Sequence, residues 1–125
     1  MQAAELRIGN WVMGNAPYKV DINSIATHAI YEKNGEDYCK PIPLTEEWLL
    51  KFGFAKEEST SYKYYSNDNV RFCFEVMFTN NGFWVIIERM QSTDRTRMNM
   101  GHYNYVHQLQ NLYFALTGTE LTIKK

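Results

Sequence analysis

The tail of the chain, residues 103–125, reads YNYVHQLQNLYFALTGTELTIKK and contains the elements that decide the fold class. Apolar residues recur in it at helical spacing: Val106, Leu109, Leu112, Tyr113 and Leu116. This stripe predicts an amphipathic helix over residues 103–117 that must bury one face against a sheet. Gly118 is expected to end the helix, and residues 121–123 are expected to add a short edge strand.

Three strands joined by short turns are predicted ahead of this tail, at residues 62–66, 70–79 and 83–90. In the second strand, alternate positions are apolar and fall on one face: Val70, Phe72, Phe74, Val76 and Phe78. The third strand begins apolar on both faces, which is typical of a central strand. The pattern predicts a three-stranded antiparallel meander.

Residues 1–44 are expected to form short antiparallel strands. Apolar positions between residues 18 and 32 indicate two strands with a kink near Asn23-Ser24. Asn34-Gly35 has the pattern of a tight hairpin turn, because both residues tolerate a positive φ angle. The returning strand is expected over residues 38–42.

A short helix is predicted between the two groups of strands, over residues 45–54. Thr45 suits the N-cap position, and Glu46 and Glu47 lie in the first turn, where the helix dipole favours negative charge. Together these elements predict an α+β fold: short antiparallel N-terminal strands, a short helix, a three-stranded antiparallel meander and a C-terminal helix packed on the sheet.

Length and composition favour a single domain over residues 1–125. A chain of this size can bury roughly two thirds of the surface that its unfolded state exposes, which is enough for a core without disulfides or metals. The net charge is −1, so no general attraction to nucleic acid or anionic lipid is expected. The longest apolar runs are far shorter than the about 20 residues of a membrane span. Because the N-terminus also lacks a signal-peptide pattern, the expected location is the cytoplasm, without a membrane partner.

No pattern in the sequence indicates a metal site, a cofactor or an enzyme. The histidines and cysteines lack the close pairs that zinc sites show: His28, Cys39, Cys73, His102 and His107. Cys73 falls inside a predicted strand, whereas a nucleophilic cysteine needs an activated, accessible thiol. Both cysteines are expected to be free thiols packed as small apolar residues.

Aromatic residues make up 15% of the chain, and several fall on the predicted meander. Tyr62 and Tyr64 lie on its first strand and Trp84 on its third, and both residue types are enriched at interaction hot spots. These side chains predict a binding surface for a protein partner or for a second copy of the chain. The alternative is a sheet face covered by the C-terminal helix, which explains only one of the two faces.

Arg89, Arg95 and Arg97 border or lie within residues 91–102, a polar segment without periodicity that is predicted to be a loop. Guanidinium groups bind phosphate, and the aromatic residues that follow are suited to stacking on bases. Nucleic-acid binding is therefore the alternative function. The competing interpretation is a solvated arm, since no known nucleic-acid-binding motif is present.

Three blocks of the chain are ELRIGNWV at residues 5–12, PIPLTEEWLLKFGF at 41–54 and YVHQLQNLYFALTGTEL at 105–121. Together they resemble a family of short uncharacterised proteins from Bacteroidetes genomes and their prophages and mobile elements. The resemblance implies a small soluble intracellular accessory protein, encoded by a phage or mobile element, and it carries no catalytic residue. Within the last block, His107 and Gln108 are polar without an evident role in the fold.

The opening LRIGNWV, followed by Val20 and Ile22, also has a faint likeness to a small SH3-like barrel. Taken together, the sequence predicts a small non-enzymatic intracellular protein-interaction module. Nucleic-acid binding through the three arginines is the alternative.

Overall fold

A computed structural model of the chain describes residues 1–58, 61–65, 72–80, 82–90 and 95–124. It confirms the α+β class, with two antiparallel sheets of three and five strands and a C-terminal helix. The chain divides into two compact units, which are Met1–Pro43 with Tyr105–Glu120, and Leu44–Asn104 with Leu121–Lys125. A single domain over residues 1–125 stays a prediction.

The first unit combines a three-stranded sheet with two α-helices. Its elements are β1 Trp11–Met13, β2 Pro17–Lys19, α1 Ile22–Lys33, β3 Lys40–Pro41 and α3 Val106–Thr117, preceded by a short 3-10 helix over Ala3–Glu5. The strands pair antiparallel in the order β2-β1-β3, and α3 contacts β1.

The prediction of two strands between residues 18 and 32 is wrong for most of that segment, because Ile22–Lys33 forms helix α1. Asp21 caps this helix, since its Oδ1 accepts hydrogen bonds from the Ser24 amide at 2.8 Å and the Ser24 hydroxyl at 2.9 Å. The apolar residues that indicated strands include Ile22 and Ile30, which are 69% and 61% exposed. Their spacing therefore did not reflect a buried sheet face.

The predicted hairpin at Asn34-Gly35 is also wrong, because these residues end helix α1. The Gly35 amide donates to the Glu32 carbonyl at 3.0 Å, and Gly35 has a φ of +73°. A positive φ suits a helix C-terminus as well as a hairpin turn. The dipeptide alone could not separate the two structures.

The second unit consists of one short helix and a five-stranded antiparallel meander. Its elements are α2 Glu46–Lys51, β4 Ala55–Glu58, β5 Ser61–Tyr65, β6 Phe72–Thr79, β7 Gly82–Met90 and β8 Arg95–His102, with the strands in sequential order. The three predicted strands correspond to β5, β6 and β7. β4 and β8 extend the meander on either side.

Most of the segment predicted to be a loop, residues 91–102, is strand β8; residues 91–94 lie outside the described part of the chain. The strand has little apolar alternation of its own. It is positioned by pairing with β7, where Glu88 lies opposite Arg97 and Ile87 lies opposite Met98. Cross-strand pairs of this kind stabilise a sheet without producing a local sequence pattern.

The core of the second unit lies on one face of the meander. Phe74 and Val76 of β6 and Val85 and Ile87 of β7 are fully buried and occupy alternate positions, as the pattern predicted. The tail continues this unit without the expected edge strand: residues 121–123 carry no strand, and the Lys124 amide donates to the Lys51 carbonyl at 2.7 Å.

Helix α3 ends as predicted at Gly118, whose φ is +74°. Its buried face differs from the predicted stripe, because two polar residues join the apolar ones: Val106, His107, Leu109, Gln110 and Tyr113. Leu112 and Leu116 are only partly buried. Gln108 serves the start of the helix, since its Oε1 accepts from the Tyr105 amide at 3.3 Å.

His107 forms a polar contact between α3 and Glu5 in the N-terminal segment. Its Nε2 lies 3.1 Å from Oε1 of Glu5, and only 1% of the His107 side chain is exposed. A backbone hydrogen bond from Gln2 and this contact with His107 lower the pKa of Glu5. A structural role within the first unit therefore accounts for this polar residue.

Candidate functional site

The second unit carries a cleft of about 360 Å³ that we call the Phe78 cleft. Seven residues line it: Leu44, Thr45, Glu46, Lys56, Tyr62, Phe78 and Phe83. They come from the start of α2, from strands β4, β5, β6 and β7, and from the residues just before α2. Concave sites of this size with mostly apolar walls are typical of places that bind a small molecule or a single large side chain.

Phe78 is the exposed aromatic residue of the cleft. It occupies the same face of β6 as the buried Phe74 and Val76, but it lies near the end of the strand and is 54% exposed. Its ring packs edge-on against Phe83, with the centroids 5.3 Å apart, and Phe83 is itself buried. The apolar face of the meander therefore continues past the core and ends in an aromatic pair of which Phe78 is accessible.

The polar rim of the cleft is charge-neutral. Lys56 Nζ lies 3.3 Å from Oε1 of Glu46, and Tyr62 lines the cleft with this pair. Burial, followed by the Glu46 charge, raises the pKa of Tyr62, so its hydroxyl remains protonated and can act as a donor. Because lysine and glutamate neutralise each other, the site favours an uncharged ligand over an ion.

The start of α2 holds the carboxylate side of the cleft in place. Thr45 caps the helix, with its Oγ1 accepting from the Trp48 amide at 3.4 Å, as the sequence predicted. The Leu44 amide donates to the Asn104 carbonyl at 2.8 Å. These bonds fix the backbone from which Leu44 and Glu46 reach the cleft.

The structure does not gather the three predicted partner-binding residues on one surface. Tyr62 lines the Phe78 cleft but is only 5% exposed. Tyr64 shares its face and is partly buried, with its ring 5.3 Å from that of Phe54. Trp84 lies opposite Met77 on the other face, 4.2 Å from the His102 ring. Phe78 is the exposed aromatic residue of the cleft. The alternation of apolar residues along its strand had assigned it only to the core face.

The three predicted nucleic-acid-binding arginines also do not form one patch. Arg89 and Arg97 lie on opposite faces of the sheet, because their register partners, Thr96 and Glu88, are neighbouring positions on the paired strands. Arg95 lies in β8 opposite Met90.

Arg97 is engaged in an acidic network on its face of the sheet. Its guanidinium lies 3.2 Å from Glu75 and 3.5 Å from Glu88. Lys63 also approaches Glu75, at 3.9 Å. The two carboxylates offset the two cations, so this face presents no excess positive charge from these four residues.

Across the described ranges, no group of three or more histidine, cysteine, aspartate or glutamate side chains is arranged to hold a metal ion. Cys39 and Cys73 are both free and buried, as the sequence indicated. Within the same described part of the chain, none of the helices has the length and apolar character needed to cross a membrane.

Comparisons of the chain with protein-family models, with curated proteins and with solved structures found no match. The resemblance to short Bacteroidetes and prophage proteins therefore stays a prediction. The case for a function consequently depends on the geometry of the Phe78 cleft.

Proposed function

We propose that this protein is a non-enzymatic intracellular protein-interaction module that binds a hydrophobic side chain of its partner in the Phe78 cleft. The observation that carries the proposal is the 54% exposure of Phe78 at the end of an otherwise buried apolar row. Burying a phenylalanine side chain is worth about 1.5–3 kcal/mol relative to leaving it exposed. Because about half of Phe78 is still exposed, a partner that covers it can gain much of this free energy.

The cleft favours a protein partner over an ionic ligand. Its walls combine the Phe78–Phe83 pair with Leu44, whereas its two charged residues already pair with each other. Interaction hot spots are typically aromatic or aliphatic anchors seated in pockets and surrounded by contacts that exclude water. A leucine or an aromatic side chain from a partner satisfies this chemistry, and the neutral Lys56–Glu46 rim surrounds it.

Nucleic-acid binding stays a prediction with less support from the geometry. The phosphate affinity of a protein depends on cations that can replace the counterions of the nucleic acid. Arg97 is already paired with Glu75 and Glu88, and Arg89 lies on the opposite face. An origin in a phage or mobile element likewise has the sequence resemblance as its only support.

Phe78→Ala is expected to reduce capture of the partner about tenfold or more, because truncation removes an anchor contact worth over 1.4 kcal/mol. The measurement is quantitative mass spectrometry of proteins recovered by the tagged chain from its host lysate, with and without nuclease treatment. Tyr65→Ala is the matched control, since Tyr65 is 45% exposed in the same sheet but lies opposite Cys73 on the other face.

The proposal requires one protein that both the wild type and Tyr65→Ala retain and that Phe78→Ala loses. Equal recovery by Phe78→Ala contradicts it. Loss in Tyr65→Ala and in Trp84→Ala instead would place the interaction on the opposite face of the meander. Recovery that disappears with nuclease would support the nucleic-acid alternative.

A further inference from the structure

A second cleft, of about 630 Å³, lies in the first unit between the β1–β2 turn and the segment before β3. Ten residues line it: Met13, Gly14, Asn15, Ala16, Pro17, Tyr18, Asp37, Tyr38, Cys39 and Lys40. Cys39 therefore borders a space within the size range of small-molecule sites, although only 2% of the residue is exposed. The sequence indicated no chemistry for this cysteine.

The Cys39 thiol contacts the imidazole of His28, and a backbone carbonyl at the other ring nitrogen fixes the orientation of that imidazole. The Sγ of Cys39 lies 3.6 Å from Nδ1 of His28, and Nε2 of His28 lies 2.9 Å from the Met1 carbonyl oxygen. A carbonyl only accepts hydrogen bonds, so Nε2 of the neutral ring carries the proton and Nδ1 presents its lone pair to the thiol. The thiol contacts the imidazole and the imidazole contacts the carbonyl, which is the arrangement of nucleophile, base and orienting acceptor.

Tyr18 supports the same sulfur from the cleft wall. The interaction of its hydroxyl with Cys39 lowers the pKa of the thiol and so favours the thiolate. Burial, followed by the charge of a Cys39 thiolate, raises the pKa of Tyr18 to about 12, so the hydroxyl remains protonated and able to donate. The first unit therefore supplies a base that removes the thiol proton and a donor that stabilises the resulting anion.

We propose that Cys39 is a modification site that undergoes exchange with low-molecular-weight disulfides, with His28 as its base. In this step the Cys39 thiol proton moves to Nδ1 of His28 while Sγ attacks one sulfur of the disulfide. A new S–S bond forms to Cys39 and the original S–S bond breaks. The departing thiolate takes the proton from His28 and leaves as a thiol.

The histidine is what distinguishes Cys39 from an ordinary buried thiol. Burial raises the pKa of Cys39 and the charge of Asp37 adds to this, whereas Tyr18 and the Met1 amino group act in the opposite direction. The free thiolate is therefore scarce at neutral pH, and reaction depends on proton transfer to a base within contact distance.

Cys73 provides an internal control. It is also buried, burial also raises its pKa, and it also has a tyrosine partner, Tyr65. The charged groups that act on it are Lys63, Glu75 and Glu88. Both cysteines are thus buried beside a tyrosine, and among the described residues it is the Cys39 thiol that contacts an imidazole.

The test is to treat the folded full-length chain with 2-hydroxyethyl disulfide and to quantify the mixed disulfide at each cysteine by peptide mapping. We expect Cys39 to react about a hundredfold or more faster than Cys73 at neutral pH, the lower end of what a positioned base contributes. In concentrated urea the two rates should become equal. Equal rates in the folded protein, or faster reaction at Cys73, would overturn the proposal.

His28→Gln should lower the rate at Cys39 about a hundredfold and leave the rate at Cys73 unchanged. If this variant does not fold, the pH profile of the wild type decides. Because a base that removes the thiol proton makes reaction less dependent on free thiolate, the rate at Cys39 should rise less steeply with pH than the rate at Cys73. An increase at Cys39 of about tenfold per pH unit from pH 6 to pH 9 indicates simple thiol ionisation and overturns the role of His28.

Discussion

Leu109→Ala is expected to lower the free energy of unfolding by about 2–5 kcal/mol, the range typical of leucine truncation in a packed core. Leu109 lies on the buried face of α3, in the first unit, and is fully buried. Leu112→Ala makes the same chemical change three residues later, where the side chain is only partly buried. It is the matched control and should cost clearly less.

Urea unfolding followed by circular dichroism measures both variants, and unchanged m-values would show that the unfolded surface is comparable. The comparison locates the buried face of α3 directly. If Leu112→Ala destabilised the protein as much as Leu109→Ala, the buried face of α3 would include Leu112, as the sequence alone predicted. The placement of His107 and Gln110 on the buried face would then be wrong.

Gln110→Leu is expected to destabilise the protein by about 2–5 kcal/mol, although it makes the side chain more apolar. Gln110 is 1% exposed, and its Oε1 accepts from the Trp11 amide at 2.8 Å while its Nε2 donates to the Gly9 carbonyl at 3.1 Å. Leucine removes both bonds from backbone groups beside β1. Each buried polar group left without a partner costs about 1–3 kcal/mol.

Gln108→Leu is the control for this substitution, because it lies on the same helix and bonds the exposed Tyr105 amide at the helix start. Loss of such a cap costs about 1 kcal/mol. Equal effects of the two substitutions in a urea titration would show that the Gln110 contacts with β1 contribute no more than a surface hydrogen bond.

The meander was predictable from the sequence because its information is local. Phe74 and Val76 occupy alternate positions and face the core, and the glycine at position 82, with a φ of +108°, marks the start of β7. Strand β8 was not predictable in this way. Its position depends on pairs such as Glu88 with Arg97, which are distant in the sequence and leave no periodic signal.

For helix α1, in contrast, a local apolar pattern was present but led to the wrong prediction of strands. The cap at Asp21 was the available signal, but apolar residues such as Ile22 and Ile30 outweighed it although they are exposed. The Phe78 cleft was only partly predictable. Tyr62 was identified from its residue type. The exposure of Phe78 depends on where other residues stop covering the sheet face, and the alternation of apolar residues along a strand carries no information about that position.

The most direct test of the central claim is a titration of the isotopically labelled protein with indole, an uncharged aromatic probe, followed by backbone amide chemical shifts. Binding of a single anchor of this size is expected in the millimolar range, about 4 kcal/mol. The account predicts that the shift changes concentrate at Leu44, Thr45, Phe78 and Phe83 and are lost in Phe78→Ala. Changes concentrated elsewhere, or unaffected by Phe78→Ala, would contradict the assignment of the cleft as the binding site.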